Sequence, residues 1–371
     1  MRGLDCSGAR TVPPDGAPRP LGQAERSLHH TQQLSTECPA CRPLADFVRS
    51  GPDQLYESFS LVFSDFLRLS VADGDASPQT VRNYLAQVRA FFVWVADQGL
   101  NPKLATERDL QAHRHHLVAQ AYAPGTIAFK LAIVRRLYDA LAWSGIRTDN
   151  PAAGLKAPRD KTAPEDGDRY VPLDGLRRLL AAPSPDTPQG QRDRGMLALM
   201  GRHGLRVAEV AQLDVDDLDG EAGESGTLRV LGKGKKVRTV YLTAGTQATL
   251  MIWLAARGKL AQPDEPALFV TTRPGGASKK APGTRLSTRA VRSLVDRYLD
   301  KVGLKAEGVS CRSLRHSAAT WARFAGAKLD AIGAMLGHSK LETTQVYARI
   351  VDKIQENPAC YLDELLGQTD G

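Results

Sequence analysis

Apolar residues along most of this chain recur at three- and four-residue spacings, and only two short segments alternate. A period near 3.6 buries its apolar face only as a helix and a period of two only as a strand, so the fold is confined to a mainly α one with one small sheet. The first stripe starts at Leu55 and carries Phe59, Val62, Phe63 and Phe66. Ser77-Pro78 then sets a capping hydroxyl before a proline at the first helical position. That helix is striped by Val81, Tyr84, Leu85, Val88, Phe91, Phe92 and Val95 and closes at Gly99. A third is expected over about 106–121. A fourth opens at Pro124 and carries Ile127, Leu131, Val134, Leu137, Tyr138 and Leu141, and Asn150-Pro151 ends the unit.

The rest of the chain divides around this unit. Residues 1–50 are rich in Gly, Pro, Ser, Gln and Arg without sustained periodicity and are expected to form a disordered arm. Residues 51–155 make the helical domain, and the charged, proline-containing stretch 156–169 reads as a linker. Residues 170–371 form a second domain of mixed α+β character. Helices are expected there at 173–182, 189–203, 207–213, 245–257, 287–302, 312–325, 328–336 and 340–352, with a last one near 358–366. The alternating segments 227–231 and 237–242 pair as an antiparallel hairpin through the turn Gly232-Lys233-Gly234-Lys235-Lys236.

The chain has 371 residues, 49 Lys and Arg against 41 Asp and Glu, and a formal charge of +8. Such an excess fits a polyanionic partner, though a merely basic enzyme would share it. No apolar run is long enough to span a membrane, and Met1 to Pro20 lacks the apolar core of a secretion signal, so a cytoplasmic protein is expected. Five cysteines at 6, 38, 41, 311 and 360 form no even framework, which fits a reducing compartment. Cys38-Pro39-Ala40-Cys41 is a lone CxxC and is read as two ordinary thiols; zinc would need two more ligands, such as His29 and His30. His113-Arg114-His115-His116 lies on a helix where His115 and His116 cannot share a face, and is read as a solvated or DNA-facing side. No metal or cofactor is expected.

The chemistry-bearing residues gather late in the chain. Arg312 and Arg315 are neighbours on one helix, followed by His316. Gly337 ends the next helix, which puts His338 in a bend. Ser339-Lys340-Leu341-Glu342 then reads as a capping box, setting Tyr347 about two turns into a new helix. Guanidinium groups hold a phosphate with forked, charge-assisted bonds, and a tyrosine hydroxyl can attack it. Earlier, Gly204 ends a helix and Arg206 starts the next, with Glu209 placed to brace an arginine. Lys233 stands between two glycines at the hairpin tip. Taken singly, each has an ordinary structural reading.

Taken together they resemble a family. The second domain resembles the catalytic domain of tyrosine recombinases, the phage-integrase, Xer and Cre group. The matching stretches are His203-Gly204-Leu205-Arg206-Val207-Ala208-Glu209, Leu231-Gly232-Lys233-Gly234-Lys235-Lys236, Leu314-Arg315-His316-Ser317-Ala318-Ala319-Thr320, and Met335-Leu336-Gly337-His338-Ser339 with Thr343-Thr344-Gln345-Val346-Tyr347. The first domain resembles the family's helical core-binding domain through Thr80-Val81-Arg82-Asn83-Tyr84 and Asn150-Pro151-Ala152. The resemblance covers roughly residues 55 to 355.

The resemblance implies a site-specific recombinase that cuts and rejoins DNA through a 3′-phosphotyrosyl link, without metal or ATP. Tyr347 would be the nucleophile, Arg206 and Arg315 the phosphate clamps, Lys233 the general acid, and His338 a further phosphate donor. Glu209 and His316 would support them. Arg82, Arg89, Lys130, Arg135 and Lys235 are candidate DNA contacts. The partners implied are duplex DNA with inverted-repeat sites, three further copies of the chain in a synaptic tetramer, and an accessory DNA-bending protein or partner recombinase. One position departs: Arg312 stands where the family usually has the histidine that takes the tyrosine proton. A guanidinium is a poor base. Either Arg312 is a third clamp and His316, His338 or water receives the proton, or the site is impaired; the five remaining matches favour an active enzyme. The alternatives are a catalytically silent DNA-binding protein of the same fold and a relaxing, type IB topoisomerase-like enzyme.

Overall fold

The computed structural model describes residues 52–70, 76–161, 169–221, 223–232, 236–272, 281–340 and 342–355. The arm at 1–50, Cys38, Cys41, Lys233, Lys235 and the helix expected near 358–366 lie outside these residues. The chain divides into two units, at Met1–Asp160 and Lys161–Gly371.

Four helices build the first unit: α1 (Pro52–Ser70), α2 (Pro78–Asp97), α3 (Glu107–Ala119) and α4 (Pro124–Trp143). The Ser77 hydroxyl accepts from the Thr80 amide at 3.1 Å and Pro78 opens α2, as the sequence suggests. Thr106 and Asp109 close a capping box on α3. The apolar stripes meet in one core of Phe63, Val88, Phe91, Phe92, Leu110, Ile127, Leu131, Leu137 and Tyr138. Asn150 ties the end of the unit back to α4, donating to the Arg135 carbonyl at 3.0 Å and to Asp139 at 2.6 Å.

The reading of His113 needs correction. It is 4 % exposed and faces inward, edge-on to Phe91 at 4.9 Å and 4.6 Å from Trp94. Only His115 and His116 are exposed. Position 113 shares a face with Leu110 and Leu117, and that apolar spacing outranks the polarity of the side chain.

The second unit continues with α5 (Leu173–Ala181), α6 (Pro188–Gly201), α7 (Val207–Gln212), strands β1 (Leu218–Asp219), β2 (Thr227–Leu231) and β3 (Val237–Tyr241), then α8 (Ala244–Arg257), α9 (Thr288–Lys301), α10 (Cys311–Phe324), α11 (Leu329–Leu336) and α12 (Glu342–Gln355). The hairpin pairs as expected, Leu228 with Val240 and Val230 with Arg238. A third strand, β1, adds to it through Leu218 and Leu228; two residues are too few to show an alternation in sequence. Helix α6 is buried along most of its length and packs against α8 over a core that includes Met196, Leu199, Leu250, Trp253 and Phe269. A smaller cluster of Ala319, Ile332, Leu336, Tyr347 and Ile350 joins α10, α11 and α12. Among the described residues, no helix is long and apolar enough to cross a membrane.

Candidate active site

Four chain segments converge on one cluster of arginines. The first is the turn into α7. Gly204 adopts φ +66°, and a Cβ there would collide with the Leu336 side chain, so glycine is required. Arg206 is the N-cap of α7. Its amide and its Nη1 donate to the two oxygens of Glu209, both at 2.8 Å. Its side chain stays 42 % exposed while that of Glu209 is only 4 % exposed. The guanidinium is thus held from within and presented outward.

The second segment supplies a residue the sequence reading passed over. Arg238 on β3 donates Nη1 and Nη2 to the two oxygens of Glu209, each at 3.0 Å, and Nε to the Met335 carbonyl at 3.3 Å. Glu209 therefore braces two arginines. Burial alone would raise its carboxyl, but the hydrogen bonds from Arg238 and Arg206 outweigh that and hold it below the usual carboxylate range. The signal was present in the strand: Arg238 shares the inward face with buried Val240, while Val237 and Tyr241 point out. Gly232, at the described flank of the hairpin tip, lies beside the Arg238 guanidinium and the Glu209 carboxylate.

Helix α10 brings Arg315, His316 and Arg312. Arg315 is 7 % exposed, and it donates Nη1 to the Gly204 carbonyl at 2.7 Å and Nη2 to the Leu336 carbonyl at 2.8 Å. The first carbonyl lies in the turn between α6 and α7 and the second ends α11, so Arg315 fastens α10 to both. Burial, and then the neighbouring Arg206 charge, lower its pKa to about 10. Arg312 is exposed and donates Nε to His316 Nε2 at 2.9 Å.

The α11–α12 corner completes the group. Gly337 caps α11 in the left-handed region at φ +69°, where a Cβ would press on Arg238 at 2.9 Å. His338 follows, with Nδ1 3.0 Å from the Thr344 hydroxyl. Its ring lies nearly parallel to that of Tyr347, centroids 6.4 Å apart. Burial, and then Arg315 and Arg206, depress its pKa to about 4, so it is neutral near pH 7. Tyr347 on α12 is 2 % exposed, and its Oη is 3.1 Å from His316 Nδ1. Thr344, fully buried, is a second residue whose part was missed; it shares a helix face with Tyr347 at i, i+3.

The structure thus brings Arg206, Glu209, Arg312, Arg315, His316, His338 and Tyr347 together. Arg82, Arg89, Lys130 and Arg135 belong to the other unit. Arg82 pairs with Gln79 at 3.0 Å, Arg89 covers the Tyr56 ring, and Lys130 donates to Gln87 at 2.8 Å. Arg135 donates to the Leu155 carbonyl at 2.7 Å, which ties it into the fold of its own unit. Among the described residues, no group of histidines, cysteines and carboxylates could hold a metal ion. An excess of guanidinium groups over one carboxylate, next to a hydroxyl and two imidazoles, suits an oxyanion whose charge shifts during reaction.

Comparison with known proteins agrees. Residues 169–353 match the phage integrase family, and residues 64–145 match the phage integrase N-terminal SAM-like domain. The chain is 37% identical over 280 residues to tyrosine recombinase XerC of Chromohalobacter salexigens, covering 75% of this chain and 87% of that one. It is 32% identical over 296 residues to the XerC of Salmonella typhi, covering 79% and 92%. In fold it is similar to XerH recombinase bound to palindromic difH substrate, with a TM-score of 0.62 at 20% identity, covering 77% of this chain and 80% of that one. The chain belongs to the phage integrase family of DNA strand-transferring enzymes. Within that family it is a tyrosine recombinase, a site-specific recombinase of DNA.

Proposed function

We propose that Tyr347 attacks a scissile phosphate of duplex DNA, forming a 3′-phosphotyrosyl link and releasing a 5′ hydroxyl, and that the 5′ hydroxyl of another strand reverses the step. The observation that carries this reading is the convergence of Arg206, Arg315, His338 and Tyr347 from three separate parts of the second unit onto one cluster. Arg206 and Arg315 bind the non-bridging oxygens, where charge is redistributed in the transition state. His338 is neutral near pH 7, and with Nδ1 turned to the Thr344 hydroxyl its Nε2 is the ring nitrogen assigned to the phosphate. Glu209 keeps Arg206 and Arg238 in place. Lys233 protonates the 5′ oxygen, and Lys235 contacts the DNA backbone beside it. Arg82, Arg89 and Lys130 are assigned to phosphate contacts of the helical unit.

The bond energy stays in the phosphotyrosine, so rejoining consumes no nucleotide, and guanidinium charge takes the part a metal plays in other phosphoryl transfers. The partner is duplex DNA with inverted repeats, bound by four copies of the chain in the cytoplasm, with an accessory DNA-bending protein or partner recombinase in some settings. The biological role is integration and excision, or dimer resolution.

A nicked suicide duplex tests the core of this. The native chain should become covalently joined to DNA, and Tyr347→Phe should bind the same duplex without becoming joined. Persistent joining in the variant would remove Tyr347 as nucleophile, and no joining by the native chain would favour a silent DNA-binding protein. Exchange between two labelled duplexes separates recombination from simple relaxation.

A further inference from the structure

The departure at position 312 has a structural counterpart. Arg312 Nε donates to His316 Nε2 at 2.9 Å. A guanidinium nitrogen only donates, so His316 Nε2 must be the unprotonated, accepting nitrogen of the ring. The hydrogen of a neutral imidazole then resides on Nδ1, and Nδ1 faces the Tyr347 Oη at 3.1 Å. His316 is 7 % exposed and Tyr347 2 % exposed, so the two meet inside the protein.

We propose that Arg312 is a positioning residue that locks His316 in the Nδ1–H tautomer, so that His316 donates a hydrogen bond to the Tyr347 oxygen instead of taking its proton. The inference rests on Tyr347 being the nucleophile. It makes His316 a stabiliser of the phenolate in both directions of the reaction. In cleavage, the Tyr347 proton passes to water before attack, the Oη–phosphorus bond forms, and the bond from phosphorus to the 5′ oxygen breaks as that oxygen takes up one proton. In rejoining, the Nδ1–H steadies the departing phenolate. An arginine where a histidine is usual is then compatible with an active site: base catalysis is exchanged for a lowered cost of ionising the phenol.

The groups around the phenol leave a window in which this can be read. Arg315 acts on Tyr347 electrostatically and titrates at about 10, and His338, stacked on the ring, titrates at about 4. Arg206 and Arg238 face them as Glu209's partners, and the Glu209 carboxyl is held below its ordinary range, so it stays charged across that window. Single-turnover joining to the nicked duplex, followed from about pH 6 to 9, should therefore rise about tenfold per pH unit in the native chain until the phenol is ionised. His316→Phe keeps the ring and removes the donor. It should run about tenfold slower near pH 7 and converge on the native rate at the alkaline end. A native rate that levels off above about pH 6.5, with a bend lost in His316→Phe, would make His316 the base and overturn the proposal.

A second measurement needs neither DNA nor that variant to fold. In nitrogen-15 spectra of the full chain labelled at histidine, His316 should carry its hydrogen on Nδ1, and Arg312→Leu should shift it to a mixture of tautomers. Hydrogen on Nε2 in the native chain, or an unchanged tautomer in Arg312→Leu, would refute the lock. Tyr347→Phe run alongside keeps the two failures apart: joining in that variant sinks the nucleophile itself, whereas no joining with an unshifted profile sinks only the lock.

Discussion

The helical unit ending at Asp160 and the arginine cluster of the second unit treat burial in opposite ways. In the first, the centre is filled by Phe63, Phe91, Phe92, Leu131 and Leu137, and its charged side chains sit at the rim. Among the described residues its buried histidine, His113, has an Nδ1 with no hydrogen-bond partner, and burial holds its pKa at about 3. In the second, Glu209 and Arg315 are buried with their hydrogen bonds directed to named partners, and cations outnumber the carboxylate. Apolar burial stabilises the first unit for its own sake. The second holds like charges close together, which Glu209 offsets in part and an added anion would relieve further. Position 113 serves the fold, and position 315 is the one that the proposed function uses.

Substitutions can break or sharpen this contrast. The largest effect is expected from Arg315→Ala. It removes the proposed phosphate donor and takes from the Gly204 and Leu336 carbonyls the bonds that Arg315 makes, so single-turnover joining should fall on the order of a thousandfold. A loss of less than tenfold would mean that the cluster is structural, like the core of the first unit. Leu137→Ala in α4 is the counterpart, since Leu137 is fully buried. It should lower the stability of the first unit by about 2–5 kcal/mol in a urea melt, with its effect on joining traceable to unfolding alone.

Acid should affect both units through different histidines. His113, held at about 3 by burial, and His203, held at about 4 by burial and then by Arg202, resist protonation only while folded. The unfolded chain takes up those protons, so stability is complete above about pH 6.5 and declines as the pH falls below it. Between about pH 7 and 5 each should cost roughly 2 kcal/mol. His113→Phe should flatten the response of the first unit, and an unchanged response would show that His113 is not what acid attacks. The smallest effect is expected from Arg238→Lys. Lysine keeps the charge beside Glu209 but cannot match the two-pronged contact, so joining should slow about tenfold with little change in melting. Unaltered joining would mean that Glu209 holds Arg206 without the Arg238 fork.

Much of the fold could be read locally. The stripes of α2 and α4 fell where their spacing put them because a helix buries every third or fourth residue whatever lies elsewhere. Ser77, Gly204 and Gly337 marked their helix ends for equally local reasons. The stretches around Arg206, Arg315, His338 and Tyr347 were recognisable as a set. The polarity of His113 masks a position that its spacing from Leu110 and Leu117 puts inside. The alternation of β3 shows which face Arg238 takes but not that this face meets Glu209, which lies 29 positions away.

By itself, then, the sequence determined the helices, their caps, the hairpin and the residue types of a phosphate site, since these depend on neighbours a few positions away. Only the tertiary structure decided which of those residues touch. Arg315 reaches Gly204 across 111 positions, Arg238 reaches Glu209 across 29, and Tyr347 reaches His316 across 31. No period or cap encodes such distances; packing of α7, β3, α10 and α12 sets them, and with them the imidazole that Tyr347 meets.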